Sequence, residues 1–343
     1  MEVLQNSKSS VNRIINLIES GKVVILPSNG IYTLNTNIFN NGAIEKIYLL
    51  KEKEYSNCLG LYVKDKEMAT PFIHFSAMSA KEKKIINLLI KKFWPGKLSL
   101  VVKTKCTNKL FTKNGFICLE SPSHPIITQI LTEHDKPLIT TSANINNKIA
   151  CSHISHVKNY FNDTKNIVCL EDSANPKYGI ENTILKIDGE NISILRNGIT
   201  LKSEIESYLK ENNVNISITY GEDTRTITNI NKSCVLAKFI TGDDMMDLNK
   251  YSEEYLSKSI LIDFGKRNIE KKDMCAGYVD LSENSDIYEA MYNIYDVQHQ
   301  LENLPVSNII FMDFFTENSK FKTLGSYLKK ICLDKQILIP IKY

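Results

Sequence analysis

Three hydroxyls and a carboxamide, Thr140, Thr141, Ser142 and Asn144, follow directly on the apolar run Pro137-Leu-Ile. Hydroxyl and amide groups both give and accept directed hydrogen bonds, so such a run could hold a phosphate or a sugar. In an α/β sheet, ligands gather at the carboxyl ends of strands. The same residue types also begin helices as N-caps, and the stretch by itself leaves both readings open. A second cluster, Cys151, His153 and His156, has metal-ligand types. It lacks a fourth ligand nearby, so no protein-held metal is expected.

The elements that must position these groups can be read from periodicity. Val11, Ile14, Ile15 and Ile18 have helical spacing, with Gly21 as the stop. Lys22-Val-Val-Ile-Leu26 reads as a buried strand ending at Pro27, and Pro27 to Gly30 as a turn. A helix is expected over about 42–51, running into the polar stretch Lys51 to Asn57, and a strand over 59–63. Ser79-Ala-Lys-Glu82 is a capping box, opening a helix that buries Ile85, Leu88, Leu89 and Phe93. Strands follow at 98–102 and 116–119, then a helix at 126–133. Asn182 to Ile187 and Ser193 to Arg196 read as a hairpin turning at Asp188-Gly189.

A helix is expected over 201–210 at the close of the first domain, and the polar, weakly periodic residues 211–233 read as linker; the domain bounds are set at 1–205, a linker over 206–233 and a second domain over 234–343. The second domain alternates strands (235–240, 259–264, 308–314) with helices (285–302, 319–332), the pattern of a small, Rossmann-like parallel α/β unit. It has no GxGxxG and no Walker A lysine, so it is not expected to be a second nucleotide site.

With 343 residues, 43% hydrophobic and 24% charged, the chain reads as a globular two-domain protein. No window has the 18 consecutive apolar residues of a membrane span, and the first ten residues lack an apolar signal core. Eight cysteines without a CxxC pair point to a reducing compartment, with the cytoplasm as default. Residues 1–205 carry 26 Lys and Arg against 18 Asp and Glu, while the remainder carries 16 against 21. A basic first half suits an anionic ligand such as a nucleotide or RNA; a Lys-rich composition from an AT-biased genome would look the same.

Phe93-Trp-Pro-Gly-Lys-Leu-Ser-Leu-Val-Val102 and Thr141-Ser-Ala-Asn144, supported by Gly21 to Pro27 and Ile194-Leu-Arg-Asn-Gly198, resemble the threonylcarbamoyl-AMP synthases of the YrdC-like family. The resemblance covers about residues 10–205. Ile260 to Gly265 and Tyr278 to Leu281 look like the extra domain of the family's two-domain members. It implies a twisted α/β domain with a basic cavity plus a small C-terminal α/β domain. The implied activity joins ATP, L-threonine and bicarbonate into threonylcarbamoyl-AMP, releasing pyrophosphate. Mg²⁺ is the expected companion of ATP, and a threonylcarbamoyl-transferase partner would pass the group to tRNA.

Carried over position by position, the resemblance assigns Lys51, Lys53, Ser142 and Asn144 to catalysis. Lys53, Asn57, Ser142, Asn144 and Arg196 are assigned to ATP. Lys53 stands where the family has Arg, which keeps the charge without the planar fork. The threonine-side positions fall on Gly30, Tyr62, Thr140 and Asn182. There the family's Thr has become Gly30, its His Tyr62 and its Ser Asn182, while Glu120 stands where an Arg is expected. That last exchange reverses the charge offered to a substrate carboxylate. These changes leave a second reading: a non-catalytic or retargeted paralogue that binds a nucleotide or RNA in the same cavity.

Overall fold

The structure is a computed structural model, and it describes residues 1–55, 58–172, 179–221, 233–237, 248, 251–302, 304–312, 324–325 and 328. The chain divides into a first unit, Met1–Asn146 with Ala150–Arg225, and a second, Asn147–Ile149 with Thr226–Tyr343.

The first unit begins with β1 (Glu2–Gln5), α1 (Lys8–Glu19), β2 (Val24–Pro27), β3 (Tyr32–Asn37), α2 (Asn41–Leu50) and β4 (Gly60–Tyr62). It continues through α3 (Lys66–Ala69), α4 (Ala80–Phe93), β5 (Leu98–Lys103), β6 (Thr112–Lys113), β7 (Phe116–Glu120), α5 (Pro125–His134) and β8 (Leu138–Ser142). It closes with α6 (Ile154–Phe161), β9 (Val168–Glu171), β10 (Thr183–Asp188), β11 (Asn191–Arg196), α7 (Lys202–Glu211) and β12 (Ile218–Tyr220). Among the described residues these strands make one sheet in the order β1-β9-β2-β3-β8-β4-β7-β5-β10-β11-β12, with β6 paired to β7.

The period of two sorts this sheet into two chemically different faces. Ile25 faces Leu34 across β2 and β3, and Ile139, Leu61, Leu119, Leu100 and Leu185 are successive register partners from β8 to β10. All are buried in one core, each side chain contributing about 1.5–3 kcal/mol by burial. The residues one position away carry the polar groups: Thr33 and Asn35 on β3, Thr140 and Ser142 on β8, Tyr62 on β4, Glu120 on β7. At the β2 side, α1 and α5 cover this second face, where Val11, Ile14, Ile18, Ile127 and Ile130 pack on Val24, Leu26 and Leu138.

Several expectations need correction. β8 runs on through Ser142, so the hydroxyl run lies within the strand, and no helix starts there. The N-cap reading therefore falls. Strand alternation also sends Thr141 to the apolar side, opposite Leu34, away from Thr140 and Ser142. The helix expected over 201–210 forms as α7, so the linker does not begin at 206, and residues beyond the helix supply β12, which pairs in parallel with β11. Their signal was weak because β12 is three residues long and its last two are exposed. β1 was missed for a similar reason: its four residues alternate poorly, and the strand forms through pairing with β9, 166 residues away. Most of the helix expected at 319–332 lies outside the described residues.

The second unit is a parallel sheet in the order β13-β16-β14-β15, from β13 (Ser233–Ala237), β14 (Ser259–Asp263), β15 (Gly277–Asp280) and β16 (Asn308–Met312). α8 (Glu253–Ser257) precedes β14, and α9 (Ile287–Glu302) follows β15. Fully buried Asp263 accepts from the Asn268 backbone at 2.7 Å and from Tyr278 Oη at 2.7 Å. Asp280 accepts from the Gly265 backbone at 3.1 Å and the Ser282 backbone at 2.8 Å. Both carboxylates thus hold together the loops that leave β14 and β15.

The expected capping box forms in full: Glu82 receives the Ser79 backbone N–H at 2.9 Å and its own N–H reaches Ser79 Oγ at 3.1 Å. The buried Glu82 carboxylate also accepts from the Gly189 backbone at 2.7 Å and from Lys103 at 3.3 Å. It therefore ties the start of α4 to the β10–β11 turn. Burial raises the Glu82 pKa, but the bonds from Ser79, Gly189 and Lys103 outweigh it and hold the carboxyl below its ordinary range. A depressed carboxyl stabilises the fold above its unfolded pKa of about 4.3 and loses that contribution as pH falls through the folded value. Glu82→Gln should therefore lower stability by about 1–2 kcal/mol at pH 7. In urea melts across pH 3 to 7, the gap from wild type should close below about pH 4; a gap constant with pH would contradict this account.

Candidate active site

The site is built around Lys51. It is the C-cap residue of α2, and the chain turns there in a Schellman motif: Lys53 N–H reaches Tyr48 O at 3.0 Å and Glu52 N–H reaches Leu49 O at 3.1 Å. Glu52 takes the left-handed position, with φ 50°, a conformation that costs a non-glycine residue about 1 kcal/mol. The turn sends the Lys51 side chain inward, where it is only 3% exposed. Its ammonium donates to Ser142 O at 2.6 Å, Asn144 O at 2.7 Å and Asn144 Oδ1 at 3.0 Å.

Three acceptors match the three donors of an ammonium. Ser142 Oγ completes the knot by donating to Asn144 Oδ1 at 2.6 Å. Asn146 N–H closes back on Lys51 O at 2.7 Å. Burial, reinforced by the neighbouring Lys53, pulls the Lys51 pKa well below its ordinary value. The three oxygens act in the opposite sense, since each needs an N–H from the charged form. Lys53 is half-buried, and desolvation brings its pKa down to about 8.

The structure thus brings Lys51, Lys53, Ser142 and Asn144 together at the carboxyl end of β8. Asn57 lies outside the described residues. Arg196 ends β11 on a bulge in the β10–β11 pairing. Its Nε donates to Asn182 O at 3.0 Å, and its guanidinium pairs with Glu181 at 3.3 Å. Gly198 lets the chain pass this point, because a Cβ there would lie 2.3 Å from Asn182 C.

The positions expected on the threonine side also converge, by way of the loops that roof the polar face. Tyr62 is buried, and its hydroxyl lies 2.7 Å from Ser28 Oγ in the Pro27–Gly30 turn. Burial pushes the Tyr62 pKa up, so the phenol stays protonated. Asn29 carries the turn onward, donating to Gly96 O at 2.9 Å and accepting from Ser123 N at 3.0 Å. Asn182 also reaches Gly96 O, at 3.5 Å. Thr140 stands on the face below, its hydroxyl buried with no hydrogen-bond partner among the described residues. Gly30 has a local reason for lacking a side chain: a Cβ would lie 2.3 Å from Ile180 O.

Asn29 was missed as a site-building residue, because its role depends on two loops about 67 and 94 positions away. His124 was missed as well. It is buried and pairs with Asp172 at 3.1 Å. His153 and His156 start α6, the His153 backbone N–H donating to His156 Nδ1 at 3.3 Å.

A family model for Sua5, YciO and YrdC, described as "Telomere recombination", matches residues 16–198, more than half of the chain. The chain belongs to this family. Among its relatives, the putative threonylcarbamoyl-AMP synthase of Methanocaldococcus jannaschii is 28% identical over 182 residues, covering 53% of this chain and 82% of that protein. The threonylcarbamoyl-AMP synthase of Pyrococcus abyssi is 25% identical over 211 residues, covering 61% of this chain and 59% of that protein. For the threonylcarbamoyl-AMP synthase of Bacillus subtilis the figures are 26% over 196 residues, 56% and 54%. The match thus spans little more than half the length of these last two relatives.

Solved Sua5 structures extend the likeness along the chain. A doubly substituted variant of P. abyssi Sua5 superposes with a TM-score of 0.80 at 18% identity, covering 97% of this chain and 96% of that one. P. abyssi Sua5 in complex with L-threonine gives 0.78 at 18% identity, covering 96% and 97%. At that identity the likeness is one of fold: a mixed α/β unit with a large twisted sheet, followed by a smaller α/β unit. Among the described residues, no helix is long and apolar enough to cross a membrane.

Removing the Lys51 ammonium would take a charged donor from three oxygens at once, although Ser142 O keeps the Asn144 backbone N–H and Asn144 Oδ1 keeps the Ser142 hydroxyl. Lys51→Met, which keeps most of the apolar stem, should lower stability by about 1–3 kcal/mol, measured by chemical denaturation. A variant as stable as wild type would show that the knot holds nothing. Gly30→Ala should also melt earlier, because its methyl would meet backbone that cannot rotate away.

Proposed function

We propose that this protein is a threonylcarbamoyl-AMP synthase, joining ATP, L-threonine and bicarbonate and releasing pyrophosphate. The observation that carries this reading is the Lys51–Ser142–Asn144 knot at the carboxyl end of β8, with Lys53 beside it. Lys51 acts as a positioning residue, because its donors are engaged by the loop it holds. Lys53 and Arg196 are the cations offered to the nucleotide's phosphates, and Ser142 and Asn144 supply hydrogen bonds that orient them. The names carried by the relatives, and the threonine bound in the P. abyssi structure, support the enzyme over a paralogue that only binds a nucleotide or RNA.

Mg²⁺ would travel with ATP rather than sit in a protein-built cage. Glu181 is paired with Arg196 and Glu120 accepts from Ser99 through one oxygen, too few carboxylates for a cage, and Mg²⁺ beside a nucleotide commonly takes its ligands from phosphates and water. No step of the proposal depends on a protein-held metal. The chemistry has two parts: the amine of threonine joins the bicarbonate carbon with loss of water, and the resulting carbamate oxygen displaces pyrophosphate from the α-phosphorus. The product is a mixed anhydride, suited to a transferase partner that modifies tRNA in the cytoplasm.

Purified protein given ATP, bicarbonate and L-threonine should release pyrophosphate, with each of the three required. Pyrophosphate release that ignores threonine, or none at all alongside clear ATP binding, would sink this reading in favour of the binding-only paralogue.

A further inference from the structure

Glu120 is a partly buried carboxylate with no ion-pair partner among the described residues. It ends β7 on the polar face beside Tyr62, its register partner on β4, and is half-buried. One oxygen accepts the Ser99 hydroxyl at 2.7 Å. The other makes no hydrogen bond or ion pair among the described residues. The Arg196 guanidinium is near enough to act on Glu120 but is paired elsewhere, with Glu181 and with Asn182 O.

Burial pushes the Glu120 carboxyl above its ordinary pKa range, and Glu181 adds to this, while the Ser99 bond and Arg196 oppose it. The side chains beside it at this end of the face are neutral: the Tyr62 phenol, the Ser28 hydroxyl and the Thr140 hydroxyl. A partly buried carboxylate without a counter-ion is stabilised either by taking up a proton or by a ligand that supplies the opposite charge. A single carboxylate among hydroxyls is too sparse for a divalent cation, which wants six or more oxygens. An ammonium needs only a few acceptors, and these groups offer them.

The geometry points to Glu120 as the group that binds the amine of the amino-acid substrate, so that this part of the pocket selects for an ammonium and against a carboxylate. This rests on the synthase reading only for the identity of the amine. It places the specificity of the site in a charge that the substrate's amine, rather than its carboxylate, complements.

Calorimetric titration of the full chain with three probes tests this: L-threonine, L-threonine methyl ester, which keeps the ammonium without the carboxylate, and N-acetyl-L-threonine, which lacks the ammonium. The ester should bind wild type and lose at least tenfold in affinity in Glu120→Gln, with melting checked in parallel. The N-acetyl compound should bind neither. Ser99→Ala, which leaves the Glu120 charge in place, should retain ester binding. Equal ester affinity in wild type and Glu120→Gln would overturn the proposal. So would binding of the N-acetyl compound as tight as the ester, or failure of the ester to bind wild type. If Glu120→Gln does not fold, the contrast of probes on wild type still decides. Ester binding that depends on Glu120, with no threonine-dependent pyrophosphate release, would defeat the synthase reading alone. Threonine-dependent release unchanged in Glu120→Gln would defeat this inference alone.

Discussion

A buried ammonium surrounded by three oxygens holds the candidate site together. Lys51 sits where the last turn of α2 meets the end of β8, and both elements end on polar backbone that must be satisfied away from water. The Schellman turn closes the helix carbonyls, and the Lys51 side chain satisfies the oxygens of Ser142 and Asn144. Because the last turn of a helix carries partial negative charge, two cations in sequence there are also favourable for α2 itself. Local helix termination and site assembly are therefore one interaction.

The rest of the unit serves to bring polar groups to one face of a sheet whose other face is apolar. Mixed pairing makes this possible: β8 is antiparallel to both β3 and β4, while β4 is parallel to β7. Ser142 and the row that contains Tyr62 and Leu138 are four residues apart along β8, about 13 Å. The Lys51 knot and the Glu120 carboxylate thus belong to different ends of the same face. Opposite charges at the two ends give that face an electrical direction.

Much of this could be read from residues. The α4 capping box and the β10–β11 hairpin follow from short-range rules, and the structure bears them out with adjusted bounds. What escaped the reading depends on distance in sequence. Nothing near Asn29 announces that it will bridge Gly96 and Ser123, and nothing near Lys51 says that its donors will be taken by residues 91 and 93 positions later. Thr141 escaped for a different reason, since a run of similar side chains conceals the alternation that sorts them once the strand extends.

Gly30 has a bearing on how this site can change. Its missing Cβ leaves room for the carbonyl of Ile180, and the segment that follows carries Glu181 and Asn182, which hold Arg196. A side chain at position 30 therefore requires another path for residues 179–182, and a new path there would loosen the arginine. The turn after β2 and the approach to β10 can diverge only as a pair. Through that pair, the packing of one loop sets the space open to the other.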